Sequence, residues 1–176
     1  MLCLIEWTNY SFGNSHLMTA LAKQLKYSCR SDFVYMVPPF LAYYGVMTQN
    51  ETILNEAYTQ ISLYRSYLRD STANNLWKHI QLGQTGIDDG HWSTGVQIPL
   101  AITSTWYRSS TGNAWAAAGM IRVLGTIQRS QYAYSFQNQQ NNLTNWVREI
   151  HGGMYSLIVR LILNFSIELY LIAASG

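Results

Sequence analysis

The strongest constraint on this 176-residue chain is a helical spacing of apolar residues that recurs in pairs, joined by short polar links. Asn50 can cap a helix in which Ile53, Leu54, Ala57, Ile61, Tyr64 and Leu68 return every three or four positions, ending near Asp70. Upstream, Pro38-Pro39 follows the run Phe33 to Val37. Proline is tolerated in a first helical turn, so the pair starts or kinks a helix that runs through Phe40 to Met47. Downstream, Asn113 can cap a helix over Ala114 to Arg129, with Trp115, Ala118, Ile121, Leu124 and Ile127 on one face. Gln137 to Tyr155 reads as a further helix through Leu143, Trp146, Val147 and Ile150. Ser71 to Asn75 is a polar turn, Leu76 to Ile80 is strand-like or irregular, and Gly83 to Gly95 is loop. Two helical pairs separated by a long connection predict an all-α architecture of helical hairpins.

Composition narrows the partners. Hydrophobic residues make up 48% of the chain, enough for a core, while charged residues make up only 11%. A net charge of +2 excludes a strongly basic nucleic-acid binder. Aromatic residues at 14% with so few charges suit neutral or weakly charged ligands such as sugars. Cys3 and Cys29 lie at no zinc-binding spacing and fit either one disulfide or two buried thiols. Met1 to Trp7 lacks the basic start of a secretory signal. The apolar tail from Met154 to Ala174 has the length of a membrane span, but Arg160, Asn164 and Glu168 interrupt it. Charges within a bilayer are costly, so no span is expected.

Few residues can carry chemistry. Asp32 precedes Phe33, Val34, Tyr35 and Met36 at a helix start. It fits a simple N-cap, and equally a carboxyl in an apolar setting that keeps its proton and serves as a general acid. His79 and His91 each stand near an indole, at Trp77 and Trp92, as sugar-site histidines often do and as plain loop residues also do. No nucleophile elbow, zinc-protease, phosphate-loop or dinucleotide motif is present, and Asp88-Asp89-Gly90 lacks the downstream spacing of a calcium loop.

Three strings in order carry a resemblance. The stretch Asp32-Phe-Val-Tyr-Met-Val-Pro-Pro-Phe-Leu-Ala-Tyr-Tyr-Gly45 resembles the D-x-x-Y-M-x-x-P-F segment of unsaturated rhamnogalacturonyl hydrolases. These are glycoside hydrolase family 105, a relative of family 88, and the likeness is to the fungal type. Leu76-Trp-Lys-His-Ile80 is similar to the segment after the next hairpin. Asp89-Gly-His-Trp-Ser-Thr-Gly95, continued at Asn113-Ala-Trp-Ala-Ala-Ala-Gly-Met120, is similar to the family's W-S-x-G-N-A-W-A-A-A-G-M signature. The resemblance implies a six-hairpin (α/α)6 barrel, of which this chain has the length of about half. It implies removal of 4,5-unsaturated galacturonic acid from pectin oligosaccharides, without metal or organic cofactor. An Asp protonates the ring double bond, water adds at the neighbouring carbon, and the hemiketal collapses to release the aglycone. Carried over by motif, Asp32 is that acid. His79 contacts the uronate or places the water, and Trp115 stacks on the sugar. His91 and Asn113 are further substrate contacts, and Tyr35 and Met36 line the pocket.

The resemblance also divides the chain. Residues 1–31 match poorly, 32–155 form a partial glycosidase domain, and 156–176 are an apolar tail foreign to the family. Within the domain, Ser93-Thr94-Gly95 recurs as Ser110-Thr111-Gly112, and removing residues 96–112 restores an uninterrupted motif. A retained short intron or a genuine loop insertion would each produce this. The second acidic site residue that the family takes from upstream hairpins has no counterpart. The expectation is a truncated, inactive hydrolase. The competing readings are a carbohydrate-binding remnant using Trp77, Trp92 and Trp115, and a helical interaction module. The lack of a fixed repeat period counts against the module.

Overall fold

A computed structural model describes residues 29–81, 89–91 and 111–174. In chain order these residues form β1 (Cys29–Arg30), α1 (Phe33–Met47), α2 (Glu51–Leu68), β2 (Arg69–Asp70), a 3-10 turn (Ser71–Ala73), β3 (Leu76–Gln81), β4 (Asp89–His91), α3 (Thr111–Gln128) and α4 (Gln137–Ala174). The described chain is mostly helical, as the paired periodicity requires. Residues 92–110, with Trp92 and nearly all of the interrupting segment, lie outside the described residues.

The helix α2 follows the sequence reading closely. The Asn50 side chain accepts a hydrogen bond from the Ile53 N–H at 3.2 Å, satisfying a donor that a helix start leaves open. Ile53, Leu54, Ala57, Ile61, Tyr64 and Leu68 are all buried, so the spacing did mark the core face.

The helix α1 crosses Pro38-Pro39 without ending. Each proline lacks the N–H that would bond the carbonyl four residues earlier, so the Val34 and Tyr35 carbonyls lose their partners within the helix. Both face α3. The Val34 carbonyl and the Tyr35 backbone occupy the space beside Gly119 where a side chain would stand: a β-carbon there would lie 2.6 Å from the Val34 carbonyl carbon and 2.8 Å from Tyr35 Cα. Arg122, one turn further along α3, donates to the Tyr35 carbonyl at 3.4 Å. The double proline thus opens the backbone of α1 where α3 comes closest.

The helix α3 departs from the sequence reading in two ways. It begins at Thr111, within the second Ser-Thr-Gly copy, so Asn113 lies inside the helix and does not cap it. Its core face is also rotated. Ala116, Ala117, Met120, Val123 and Ile127 are buried, whereas Trp115 and Ile121 are exposed. Of the expected stripe, Ile127 is buried and Leu124 packs against the core, while Trp115 and Ile121 face outward. The close α1 contact instead selects the small side chains around Gly119, because only these allow two backbones to approach so nearly. Val34, Leu41, Met120 and Val123 are fully buried in this region, each worth about 1.5–3 kcal/mol of apolar transfer.

The helix α4 buries Leu143, Val147 and Ile150, as expected, but continues past Tyr155 to Ala174. It is tied to α2 by Glu149, which accepts from Arg65 at 2.7 Å and from Arg69 at 2.8 Å. Above that pair, the Tyr58 and Trp146 rings stack at 5.5 Å, and the Asn142 amide donates to the Tyr58 hydroxyl at 2.7 Å. Among the described residues no helix is long and apolar enough to cross a membrane.

The strand β3 is the hub of a small antiparallel sheet between the hairpins. Arg30 of β1 and Asp89 of β4 both register with Ile80, on opposite edges of β3, and Lys78 registers with His91. Near its start, β3 pairs with β2, with Arg69 opposite Trp77 and Asp70 opposite Leu76.

The glycines of α3 supply a paired test. Gly119→Ala must push α1 and α3 apart and should lower stability by about 1–3 kcal/mol. Gly125→Ala meets nothing within 4 Å and should raise stability by up to about 1 kcal/mol through helix propensity alone. Thermal melts of the two variants should therefore shift in opposite directions.

Candidate functional site

The starts of α1 and α3 lie at the same end of the helices, beside β3. Asp32 occupies the residue before α1 in a helical conformation, φ −68° and ψ −22°, and its side chain makes no capping hydrogen bond. The N-cap role open to it in the sequence is thus not the one it takes. It is half-buried, two residues beyond Arg30, which β1 holds against Ile80 of β3. This pairing brings the chain leading into Asp32 alongside the His79 segment, and the β3–β4 ladder adds His91 on the other edge. The backbones of both histidines are placed; their side chains lie outside the description.

An aromatic wall stands behind Asp32. Phe33 and Tyr64 stack almost parallel at 4.4 Å. Burial pushes the Tyr64 hydroxyl well above the usual tyrosine range, and the nearby Asp32 charge adds to the shift. Both effects keep the Tyr64 hydroxyl protonated, as a neutral phenol.

A second aromatic group lies toward solvent. Tyr35 meets Trp115 edge to face at 4.4 Å, joining the first turns of α1 and α3. Trp115 keeps 39% of its surface exposed, which leaves a ring available for stacking. The Arg122 guanidinium lies 4.8 Å from the Tyr35 ring centre. Met36 is exposed one helical turn beyond Asp32, at the spacing that puts both on one face of α1.

Asn113 has another task. It is 1% exposed, and its amide clasps the backbone of Trp77: the Trp77 N–H donates to Oδ1 at 2.8 Å, and Nδ2 donates to the Trp77 carbonyl at 2.9 Å. Its side chain therefore fastens β3 to the start of α3. Trp77 is itself 1% exposed, which removes it as a sugar platform and corrects the binding-remnant reading at that residue. Its indole Nε1 and the hydroxyl of Ser31, the residue before Asp32, are buried without a hydrogen-bond partner among the described residues.

Asp32, Tyr35, Met36 and Trp115 thus converge at one end of the α1–α3 pair, with the His79 and His91 backbones on the adjoining strands. Sequence reasoning missed Tyr64 and Arg122. Tyr64 was assigned to the core, which is where it is; its proximity to Asp32 arises only from packing. Arg122 carried no signal, because nothing in the sequence opens the Tyr35 carbonyl except the proline four residues later.

The mostly helical, paired-helix architecture is consistent with an all-α glycosidase fold. The family description Glycosyl Hydrolase Family 88 matches residues 6–157, most of the chain. The chain belongs to this family. Comparison with curated proteins and with solved structures gave no match.

The Asn113 clasp predicts a structural phenotype. Asn113→Ala leaves the Trp77 N–H and carbonyl buried without partners and should cost about 1–3 kcal/mol in a denaturant melt. A variant of unchanged stability would contradict the clasp.

Proposed function

We propose that the site acts on 4,5-unsaturated galacturonyl residues at the ends of rhamnogalacturonan fragments, as in the unsaturated rhamnogalacturonyl hydrolases of family 105 of the fungal type. The observation that carries this reading is the contact of Tyr35 with Trp115 across α1 and α3, one turn from Asp32 at the start of α1. Two motifs far apart in sequence then serve one sugar. Asp32 donates a proton to the double bond of the uronate ring. Water adds at the adjacent carbon, returning a proton to the Asp32 carboxylate, and the hemiketal opens and expels the rest of the oligosaccharide. Trp115 stacks on the ring, Tyr35 and Met36 border it, and His79 contacts the uronate or positions the water, with His91 beside it. Asn113 positions β3 and does not bind sugar. The scheme differs from the paired-carboxylate glycosidases, which act at the anomeric carbon.

The 176-residue chain carries about half of a six-hairpin barrel on this reading and is silent in hydrolysis by itself. Large apolar side chains remain exposed along α1, at Phe40, Tyr43 and Met47, where a closed barrel would cover them. The second reading, a carbohydrate-binding remnant, draws on the exposed Trp115.

The transcript separates the two. A transcript that lacks codons 96–112 and continues in another frame beyond Met154 indicates a complete hydrolase. In that protein Asp32→Asn should abolish loss of the double bond's ultraviolet absorbance, by about a thousandfold or more, while sugar binding survives. A transcript that encodes the present chain favours the binding remnant. Turnover that persists in Asp32→Asn would remove Asp32 as the acid, and turnover by the purified 176-residue chain would remove the truncation reading.

A further inference from the structure

Arg122, Arg129 and Arg148 make no ion pair among the described residues, and of these three Arg122 is the one over an aromatic ring. Arg65 and Arg69 are both committed to Glu149. Arg122 is exposed on α3, two turns beyond Trp115, and makes no ion pair with any carboxylate among the described residues. Among the described residues its guanidinium makes one hydrogen bond, the long one, 3.4 Å, to the Tyr35 carbonyl. A guanidinium has five N–H donors in a planar fork, so most of its donor capacity remains available. The ring below it is Tyr35, at 4.8 Å, and Tyr35 is packed against Trp115 at 4.4 Å. The three side chains form a continuous strip: an exposed indole, a phenol ring and an unpaired cation.

A strip of this kind matches the two faces of a uronic acid. A sugar ring offers a C–H surface to the indole, and its carboxylate needs a forked donor at the edge. Neutral sugars satisfy only the first half. We infer that Arg122 is the residue that reads the carboxylate of the bound sugar and so selects acidic over neutral rings. The inference rests on the proposed uronyl substrate and adds a specificity residue to it. Arg122 is not itself a catalytic group. Resting on the Tyr35 ring, the guanidinium is held in place while it stays exposed to a ligand.

The test is binding to the full chain, which requires no turnover. Galacturonate and galacturonamide differ in charge and little in shape, and their affinities can be compared by calorimetry. The wild-type protein should prefer the acid by about tenfold, the size of one charge-assisted contact. Arg122→Gln should bring the two affinities within about twofold by weakening the acid alone, and Arg122→Lys should keep part of the preference as a point charge without the fork. Trp115→Ala should weaken both ligands alike. A preference for the acid that survives Arg122→Gln overturns the inference, as does equal weakening of both ligands in that variant, which would mark Arg122 as a clamp between α1 and α3. Wild-type binding of both ligands with equal affinity also overturns it, while leaving the sugar site standing. Binding of neither at millimolar concentration overturns the uronyl reading and this inference with it.

Discussion

The architecture depends on how closely α1 and α3 approach. Two helices normally pack with a layer of side chains between their axes, at about 8–10 Å. Here Gly119 removes that layer at one point, and Pro38-Pro39 leaves the Val34 and Tyr35 carbonyls without helical partners there. A side chain at position 119 would strike the α1 backbone, and an uninterrupted hydrogen-bond ladder in α1 would leave nothing for Arg122 to meet. Together the glycine and the proline pair place the first turns of the two helices against each other. That contact sets the distance from Tyr35 to Trp115 and brings Asp32 to the same edge.

The remaining elements hold this junction in register. The Asn113 clasp on Trp77 fixes β3 to α3, and the β1 pairing with Ile80 delivers the chain to Asp32 from the other side. The Phe33–Tyr64 stack fastens the start of α1 to α2. Farther out, the Arg65–Glu149–Arg69 bridge and the Tyr58–Trp146 stack tie α2 to α4. The bridge is partly exposed and contributes modestly to stability. It joins α4 to the end of α2.

Features decided within a few residues were legible in the sequence. Asn50 and the α2 stripe are of this kind, because a cap and a 3.6-residue period are local. Features decided by distant partners were not. Asn113 has the chemistry of a cap, yet its partner is a backbone 36 residues away, and that bond outcompetes the local one. The face of α3 was misjudged for the same reason: hydrophobicity favours Trp115 and Ile121, whereas the approach of α1 selects Ala116, Ala117 and Gly119. Once the tight junction is known, the run Ala-Ala-Ala-Gly-Met120 reads as a docking surface for a neighbouring backbone. The assignment of Asp32 and Trp115 to one site came from resemblance; the structure adds the Tyr35–Trp115 contact beside it. The contribution of Arg122 could not be read without the open carbonyl.

The central claim is that this junction forms a seat for a uronyl ring between Asp32 and Trp115. Nuclear Overhauser contacts between an unsaturated galacturonyl-rhamnose disaccharide and the protein test it most directly. The account predicts contacts from the uronyl ring protons to the Trp115 indole and the Tyr35 ring, with the rhamnose directed away from them. Contacts confined to the exposed side chains of α4, such as Tyr155, or the rhamnose seated on Trp115 in place of the uronyl ring, would contradict it.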